Sequence, residues 1–132
     1  MTSKVTYIGG LRTSSTHILS GAEIISDAPV DNHGQGAAFS PTDSVANALA
    51  TCMFTVMGIK AQAMGFGLEG ATAQVTKHMQ SEPRKISAID VVFELPPADA
   101  KTREILERTA MTCPVFLSLS ESIAKNITFN WS

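Results

Sequence analysis

The sequence predicts an α+β fold in which a mainly antiparallel sheet wraps around one long central helix. A run without any charged residue, 44–59, lies between a clear helix start signal and a clear stop signal. Segments in which apolar and polar residues alternate stand on both sides of this run and predict strands. With 132 residues, the chain fits a single domain, 1–132, that is large enough to bury a core without disulfides.

The N-terminal part of that domain, 1–40, is predicted to contain strands and a loop. Short strand-forming segments at Lys4–Ile8, His17–Ser20 and Ala22–Ser26 predict three strands, with a glycine turn after the first. The segment Asp27–Phe39 is rich in proline, glycine, asparagine and aspartate, so it is predicted as a loop.

The central helix, 41–65, has the clearest local signals in the chain. Ser40 is predicted to cap it, Pro41 suits the first position, and Asp43 completes a capping box. The helix is expected to continue to about Met64 and to stop at the glycine that follows. Because apolar residues occupy nearly its whole circumference, protein is expected to surround it. The stripe predicted to fill the core is Met53, Met57 and Met64.

The C-terminal part, 66–132, is predicted to hold a hairpin, two helical segments and a last strand. The hairpin, Ala71–Gln80 with Ile86–Leu95, alternates with period two. A helix over Asp99–Thr112, a helical turn over Phe116–Glu121 and a strand beginning near Lys125 complete the α+β order. The first three strands are poorly placed to cover the central helix alone, so two chains are expected to share one core as a homodimer.

Composition excludes several classes of protein. The net charge is −2, and the sequence has no basic patch interleaved with aromatic residues. We therefore expect neither nucleic acid nor an acidic membrane as a partner. The N-terminus lacks the apolar segment of a signal peptide, and the uncharged run falls short of the roughly 20 residues that span a bilayer. A soluble cytoplasmic protein is predicted. The histidines, His17, His33 and His78, are scattered without metal-site spacing, so neither a metal nor a cofactor is predicted.

The two cysteines stand in different settings. Cys52 lies inside the uncharged helical run, and Cys113 opens a Cys-Pro turn. In a reducing cytoplasm, two cysteines indicate inert thiols, a metal site or redox chemistry. The helix dipole acts only within the first turn, so a Cys52 thiolate needs a nearby cation. Arg12, at the end of the Gly9–Arg12 connection, is the candidate, although a solvated turn residue is the other interpretation.

If the cysteines react with peroxide, the chemistry has three steps. The Cys52 thiolate attacks a peroxide oxygen and becomes a sulfenic acid, and an alcohol leaves. Cys113 then attacks that sulfur, and an external thiol reductant opens the resulting disulfide. This sequence of steps requires the two Cα atoms to approach within roughly 4.4–6.8 Å.

Pro41, the segment Ala48-Leu49-Ala50-Thr51-Cys52 and the segment Thr112-Cys113-Pro114-Val115 together resemble the OsmC/Ohr family, named after osmotically inducible protein C and the organic hydroperoxide resistance protein. The resemblance implies an intertwined homodimer with active sites at the subunit interface. It implies thiol-dependent reduction of hydroperoxides, often organic ones. We expect organic hydroperoxides and also hydrogen peroxide as substrates, and a thiol or dithiol such as a lipoylated protein as the reductant. Cys52 would be the peroxidatic cysteine, Cys113 the resolving cysteine, and Arg12 the family's arginine.

One position departs from the family pattern. Ohr-type members carry a glutamate directly after the helix-starting proline, where it orients the arginine, whereas this chain has Thr42 there and Asp43 next. Thr42 and Asp43 are both candidates for supporting the site. Asp43 lies nine residues before Cys52, on the opposite side of an ideal helix, so helix capping and support of the site are both open for it. In this respect the chain resembles a divergent OsmC-type member more than an Ohr. The departure also keeps an alternative open, a non-catalytic dimeric module that binds a hydrophobic ligand or senses redox state through its thiols.

Overall fold

The structure is a computed structural model that describes all residues, 1–132. The chain divides into two compact units, Met1–Val45 and Ala46–Ser132. A long helix begins in the first unit and continues through the start of the second. The mixed α+β class predicted from the sequence is confirmed, and the dimer and the single-domain organisation stay predictions.

The first unit contains a three-stranded antiparallel sheet. Its strands are β1 (Ser3–Gly9), β2 (Arg12–His17) and β3 (Glu23–Ser26), in the order β1-β2-β3. The β1–β2 hairpin has a two-residue loop in which Gly10 and Leu11 both take positive φ, as the twist of such a tight turn requires. The loop after β3 contains one short 3-10 turn, Val30–Asn32.

The position of β2 corrects the sequence prediction of a strand at His17–Ser20. The strand lies five residues earlier, and residues 18–20 form the turn into β3. Between Arg12 and His17 every residue is serine or threonine, so no apolar alternation marks the strand. Its pairing with both neighbours, rather than its composition, makes it a strand.

Helix α1, Pro41–Met64, has the predicted bounds because local signals determine both ends. The Ser40 hydroxyl accepts the Asp43 backbone N–H at 3.0 Å, and the Asp43 carboxylate accepts the Ser40 N–H at 3.0 Å, which is a complete capping box. After the helix, Gly65 takes φ +70°, a conformation that glycine adopts without strain.

Only one side of α1 is buried within the chain, so the enclosure of the whole helix stays a prediction that depends on the expected second copy. The second unit buries Leu49, Met53 and Met57 completely, whereas Ile59 is exposed and Met64 is partly exposed. By length and composition alone α1 is long and apolar enough to cross a membrane, but a core helix of a soluble protein meets the same criterion.

The second unit adds a sheet with one parallel pair. Strands β4 (Thr72–Gln80) and β5 (Lys85–Leu95) are antiparallel, and β6 (Ala124–Trp131) runs parallel to β5. The crossover from β5 to β6 contains α2 (Ala100–Ala110) and α3 (Pro114–Ser118), since parallel neighbours need a long connection. The helical turn predicted at 116–121 therefore begins earlier than expected.

The core of the second unit lies between α1 and this sheet. Phe93 of β5 is fully buried and meets Phe54 of α1 edge-on at 4.8 Å and Phe129 of β6 in a stacked arrangement at 5.4 Å. Burying a side chain of this size contributes about 1.5–3 kcal/mol. The fixed helix and crossover hold the segments that carry the two cysteines.

Candidate functional site

Cys52 lies on α1 at the border between its buried and exposed sides. The next residue, Met53, is fully buried, whereas the preceding Thr51 is exposed, and Cys52 itself is half-buried. The sequence suggested a deeper position because the whole run is uncharged. The helical turn instead leaves part of this residue exposed at the surface of the chain.

Cys113 is the more deeply buried of the two cysteines, with no exposed surface. It is the N-cap of α3, where its sulfur accepts the Phe116 backbone N–H at 3.2 Å, and its own N–H donates to Ala110 O. Pro114 occupies the first helical position, which needs no N–H donor. The Cys-Pro turn predicted from the sequence is therefore present, but it is covered by the core.

The structure brings the two thiols together as free cysteines. Burial raises the pKa of the Cys113 thiol above its ordinary value, and the hydrogen bond from Phe116 only partly offsets this. A side-chain hydrogen bond with Cys52 and the charge that Cys52 acquires on ionisation raise the Cys113 pKa further. Cys113 is therefore a protonated thiol near neutral pH, next to the more accessible sulfur.

Arg12 is the first residue of β2 rather than part of the preceding turn. Its Nη2 donates to Gln35 Oε1 at 3.3 Å and lies 3.6 Å from Asp27 Oδ2. Arg12 belongs to the first unit and both cysteines to the second, so its approach to the thiols stays a prediction.

Asp27, which sequence reasoning assigned only to a loop, is the carboxylate that pairs with Arg12. Its side chain is 1% exposed and also accepts the backbone N–H groups of Ala28 and Ala37. The signal that could have found it is strand register. Thr13 pairs with Ser26, so the next positions outward, Arg12 and Asp27, face each other at the end of the β2–β3 ladder.

The two residues proposed from the sequence as supporting the site lie at the start of α1. Asp43 holds the capping box with Ser40, and Thr42 Oγ1 lies 3.3 Å from the same Ser40 hydroxyl. These contacts give both residues a structural role at the helix start. A catalytic role for either stays a prediction.

The remaining titratable side chains form no second site of this kind. No group of three or more histidine, cysteine, aspartate or glutamate side chains is arranged to hold a metal ion. His78 lies on the exposed face of the second sheet, where its Nε2 is 2.7 Å from Asp90 Oδ2. Asn126 donates to the other oxygen of that carboxylate, and these bonds lower the pKa of Asp90. This cluster contains no nucleophile, and its side-chain contacts stabilise the pairing of neighbouring strands.

The sequence model of the OsmC-like protein family matches residues 34–128 of the chain. The chain belongs to the OsmC-like family. A search of curated proteins found no match. The matched range contains Cys52 and Cys113, whereas Arg12 and Asp27 precede it.

Solved structures show the same fold in this OsmC-like chain. A protein of Psychrobacter arcticus 273-4, provisionally described as an osmotic stress induced and detoxification response protein, is 48% identical, with a TM-score of 0.95 over 98% of this chain and 96% of that one. OsmC of Legionella pneumophila, described as an organic hydroperoxide resistance protein, is 16% identical with a TM-score of 0.76 over 98% and 97%. An organic hydroperoxide resistance protein of Elizabethkingia anophelis is 14% identical with a TM-score of 0.74 over 100% and 97%. At such low identity, the last two show the fold alone.

Proposed function

We propose that this OsmC-like protein is a thiol-dependent peroxidase that reduces organic hydroperoxides. The observation that carries the proposal is the pair of interacting free thiols, one accessible on α1 and one buried at the start of α3. Family membership and the organic hydroperoxide resistance proteins that share the fold support the same class of chemistry.

In the proposed reaction, the Cys52 thiolate attacks the distal oxygen of the hydroperoxide. The O–O bond breaks, Cys52 becomes a sulfenic acid, and the alkoxide takes a proton and leaves as an alcohol. Cys113 attacks the Cys52 sulfur, and its proton leaves with the sulfenic oxygen as water while the disulfide forms. A dithiol, such as a lipoylated protein, reduces the disulfide and is itself oxidised.

The burial of the thiols fits this division of roles. A half-buried cysteine can meet a substrate, whereas a fully buried one is shielded from peroxide in solution. The raised pKa of Cys113 keeps this thiol protonated at rest and so unreactive toward peroxide, and it gives up its proton as it attacks the Cys52 sulfur. Arg12 is proposed to supply the cation that stabilises the Cys52 thiolate and the peroxide oxygens, from the same chain or from a partner chain.

The proposed assembly is a homodimer. In the first unit the only buried residues are polar, Asp27 and Ser40, so this unit has no apolar core of its own. A three-stranded sheet needs an apolar face packed on something to be stable. A second copy of the chain is the proposed cover. With two free cysteines, the proposed compartment is the reducing cytoplasm.

Peroxide consumption tests the proposed function. With dithiothreitol or a lipoylated protein as the reductant, the wild-type protein is expected to consume cumene hydroperoxide and a fatty-acid hydroperoxide faster than hydrogen peroxide. Cys52→Ala is expected to lose at least about 10³-fold in rate, because the nucleophile is gone. In Cys113→Ser, peroxide should leave sulfinic and sulfonic acids on Cys52 instead of a disulfide, as read by mass spectrometry.

Thr51→Ala is the matched control for these variants, because Thr51 is an exposed neighbour on the same helix whose hydroxyl bonds only to the Ala48 carbonyl at 3.1 Å. It should keep the wild-type rate. A wild-type protein that consumes no peroxide, or a Cys52→Ala variant as active as wild type, would contradict the proposal. The first result would favour the ligand-binding or redox-sensing module.

A further inference from the structure

Arg12 and Asp27 are placed opposite each other by the pairing of β2 and β3. The last paired residues of this ladder, Thr13 and Ser26, also bond through their hydroxyl groups. Arg12 begins β2 and Asp27 directly follows β3, so both side chains belong to one end of a fixed ladder. Their relative position is therefore set by backbone hydrogen bonds and not by a flexible turn.

The Asp27 carboxylate is held independently of Arg12. Its Oδ1 accepts the Ala28 N–H at 2.8 Å, its Oδ2 accepts the Ala37 N–H at 3.0 Å, and its own N–H donates to Phe39 O at 3.2 Å. The loop between these contacts folds back tightly, and a Cβ at Gly34 would collide with the carbonyl of Ala28. The loop thus encloses one ionisable group.

That carboxylate remains ionised at neutral pH. The Ala37 N–H, and then the Ala28 N–H and the Arg12 guanidinium, lower the pKa of Asp27 against the opposing effect of burial. A buried anion with two backbone donors on it still needs an opposite charge, because desolvating a lone charge is costly. Arg12 is that charge, at 3.6 Å.

Only one nitrogen of the Arg12 guanidinium group, Nη2, is held by other residues of the first unit. Both contacts, to Asp27 and to Gln35, use Nη2, and the side chain is 39% exposed. Neither contact occupies Nε or Nη1. A guanidinium fixed through one nitrogen keeps a planar set of N–H donors aimed in one direction, which suits oxygen or sulfur anions.

We infer that Asp27 is the positioning residue for Arg12. A buried carboxylate at the end of β3, assisted by Gln35, orients the arginine in this chain, whose helix start carries Thr42 in place of the glutamate of Ohr-type members. The inference rests on the proposed function for the role of Arg12 in peroxide reduction. The anchoring itself stands on the contacts within the first unit.

The test removes the charge of Asp27 and keeps its shape. Asp27→Asn is expected to lower kcat/KM for cumene hydroperoxide by about ten- to a hundredfold, mainly in kcat, because misplacement of a group at the reacting atoms has effects of this size. In a double-mutant cycle, Arg12→Ala and the double variant Arg12→Ala/Asp27→Asn should be equally slow, because Asp27 acts only through Arg12. Asp27→Glu, which restores the charge, should recover part of the rate.

The matched control is Asp31→Asn, an exposed carboxylate in the same loop, which should keep the wild-type rate. If Asp27→Asn fails to fold, Gln35→Ala replaces it, since it leaves the loop's backbone bonds intact. Loss of that one hydrogen bond should cost about two- to tenfold in rate.

A readout that does not need turnover separates this inference from the proposed function. The Arg12 Nη2 protons, which donate to Gln35 and face Asp27, should give a separate, slowly exchanging signal in ¹⁵N NMR of the wild-type protein at low temperature, and Asp27→Asn should broaden or lose it while Asp31→Asn does not. An unchanged signal in Asp27→Asn, or additive losses in the double-mutant cycle, would overturn the inference. Absence of peroxidase activity in the wild type with the signal behaving as expected would refute only the proposed function.

Discussion

At the scale of single residues, burial distinguishes the two thiols more clearly than sequence does. The uncharged run around Cys52 indicated a deep position, but the helical geometry puts that sulfur at the edge of the core. The Cys-Pro turn at Cys113 gave no indication of burial, but the second unit covers this residue completely. Composition shows which segments are apolar. It does not show which side of a helix or turn faces the core.

The raised pKa of Cys113 predicts a decline of stability in mild alkali. At pH values below the ordinary pKa of a thiol, Cys113 is protonated in both the folded and the unfolded state, and its environment contributes fully to the free energy of unfolding. As pH rises above about 8.5, the unfolded thiol ionises first, so the free energy of unfolding falls until the folded thiol ionises too.

Chemical denaturation from pH 7 to 10.5, at fixed protein concentration and with a reductant, measures this decline. Cys113→Ser should show a shallower decline than the wild type, because the serine hydroxyl does not titrate in this range. If the free energy of unfolding falls with pH equally in the wild type and in Cys113→Ser, the environment of Cys113 does not favour the protonated thiol.

At the scale of elements, prediction succeeded where the signals are local. The bounds of α1 follow from Ser40, Pro41 and Gly65, which act within one turn of the helix ends. Strand β2 was misplaced because its serines and threonines carry no apolar period, and only its pairing partners define it. Asp27 was missed for the same reason, since its contact with Arg12 exists only once the register is known.

The capping box of α1 gives a prediction at this scale. Ser40→Ala removes the acceptor for the Asp43 N–H and should lower the free energy of unfolding by about 1 kcal/mol. Urea denaturation measures the change. Thr51→Ala, whose exposed hydroxyl bonds within its own helix, should change stability by less than about 0.5 kcal/mol. A loss at Ser40 no larger than at Thr51 would contradict the role of this cap.

At the scale of the whole molecule, the first sheet has one face that needs a cover. The register places Val5, Tyr7 and Ile24, all more than half exposed, on one face, while Lys4, Glu23 and the less exposed Ile25 lie on the other. Exposed apolar side chains grouped on one face are typical of an interface. In the proposed homodimer, the second copy covers this face.

Substitutions of two neighbouring residues test whether this face is the interface of the proposed homodimer. Ile24→Lys is expected to dissociate the dimer or weaken it at least tenfold, because a lysine cannot be buried unpaired in an apolar contact. Ile25→Lys, on the opposite face of the same strand, is the matched control and should remain dimeric. Sedimentation velocity at micromolar concentration measures both. A monomeric wild type, or two variants that behave alike, would contradict the assigned face.

The contact between Asp27 and Arg12 depends on a glycine seven residues after Asp27, because a side chain at Gly34 would collide with the Ala28 carbonyl. Any larger residue there would have to push the chain away from Ala28, and water would then reach the carboxylate that the loop encloses. A hydrated Asp27 would attract Arg12 less strongly, since water screens the pair. Substitution of this glycine should therefore imitate the loss of Asp27 without altering any charge.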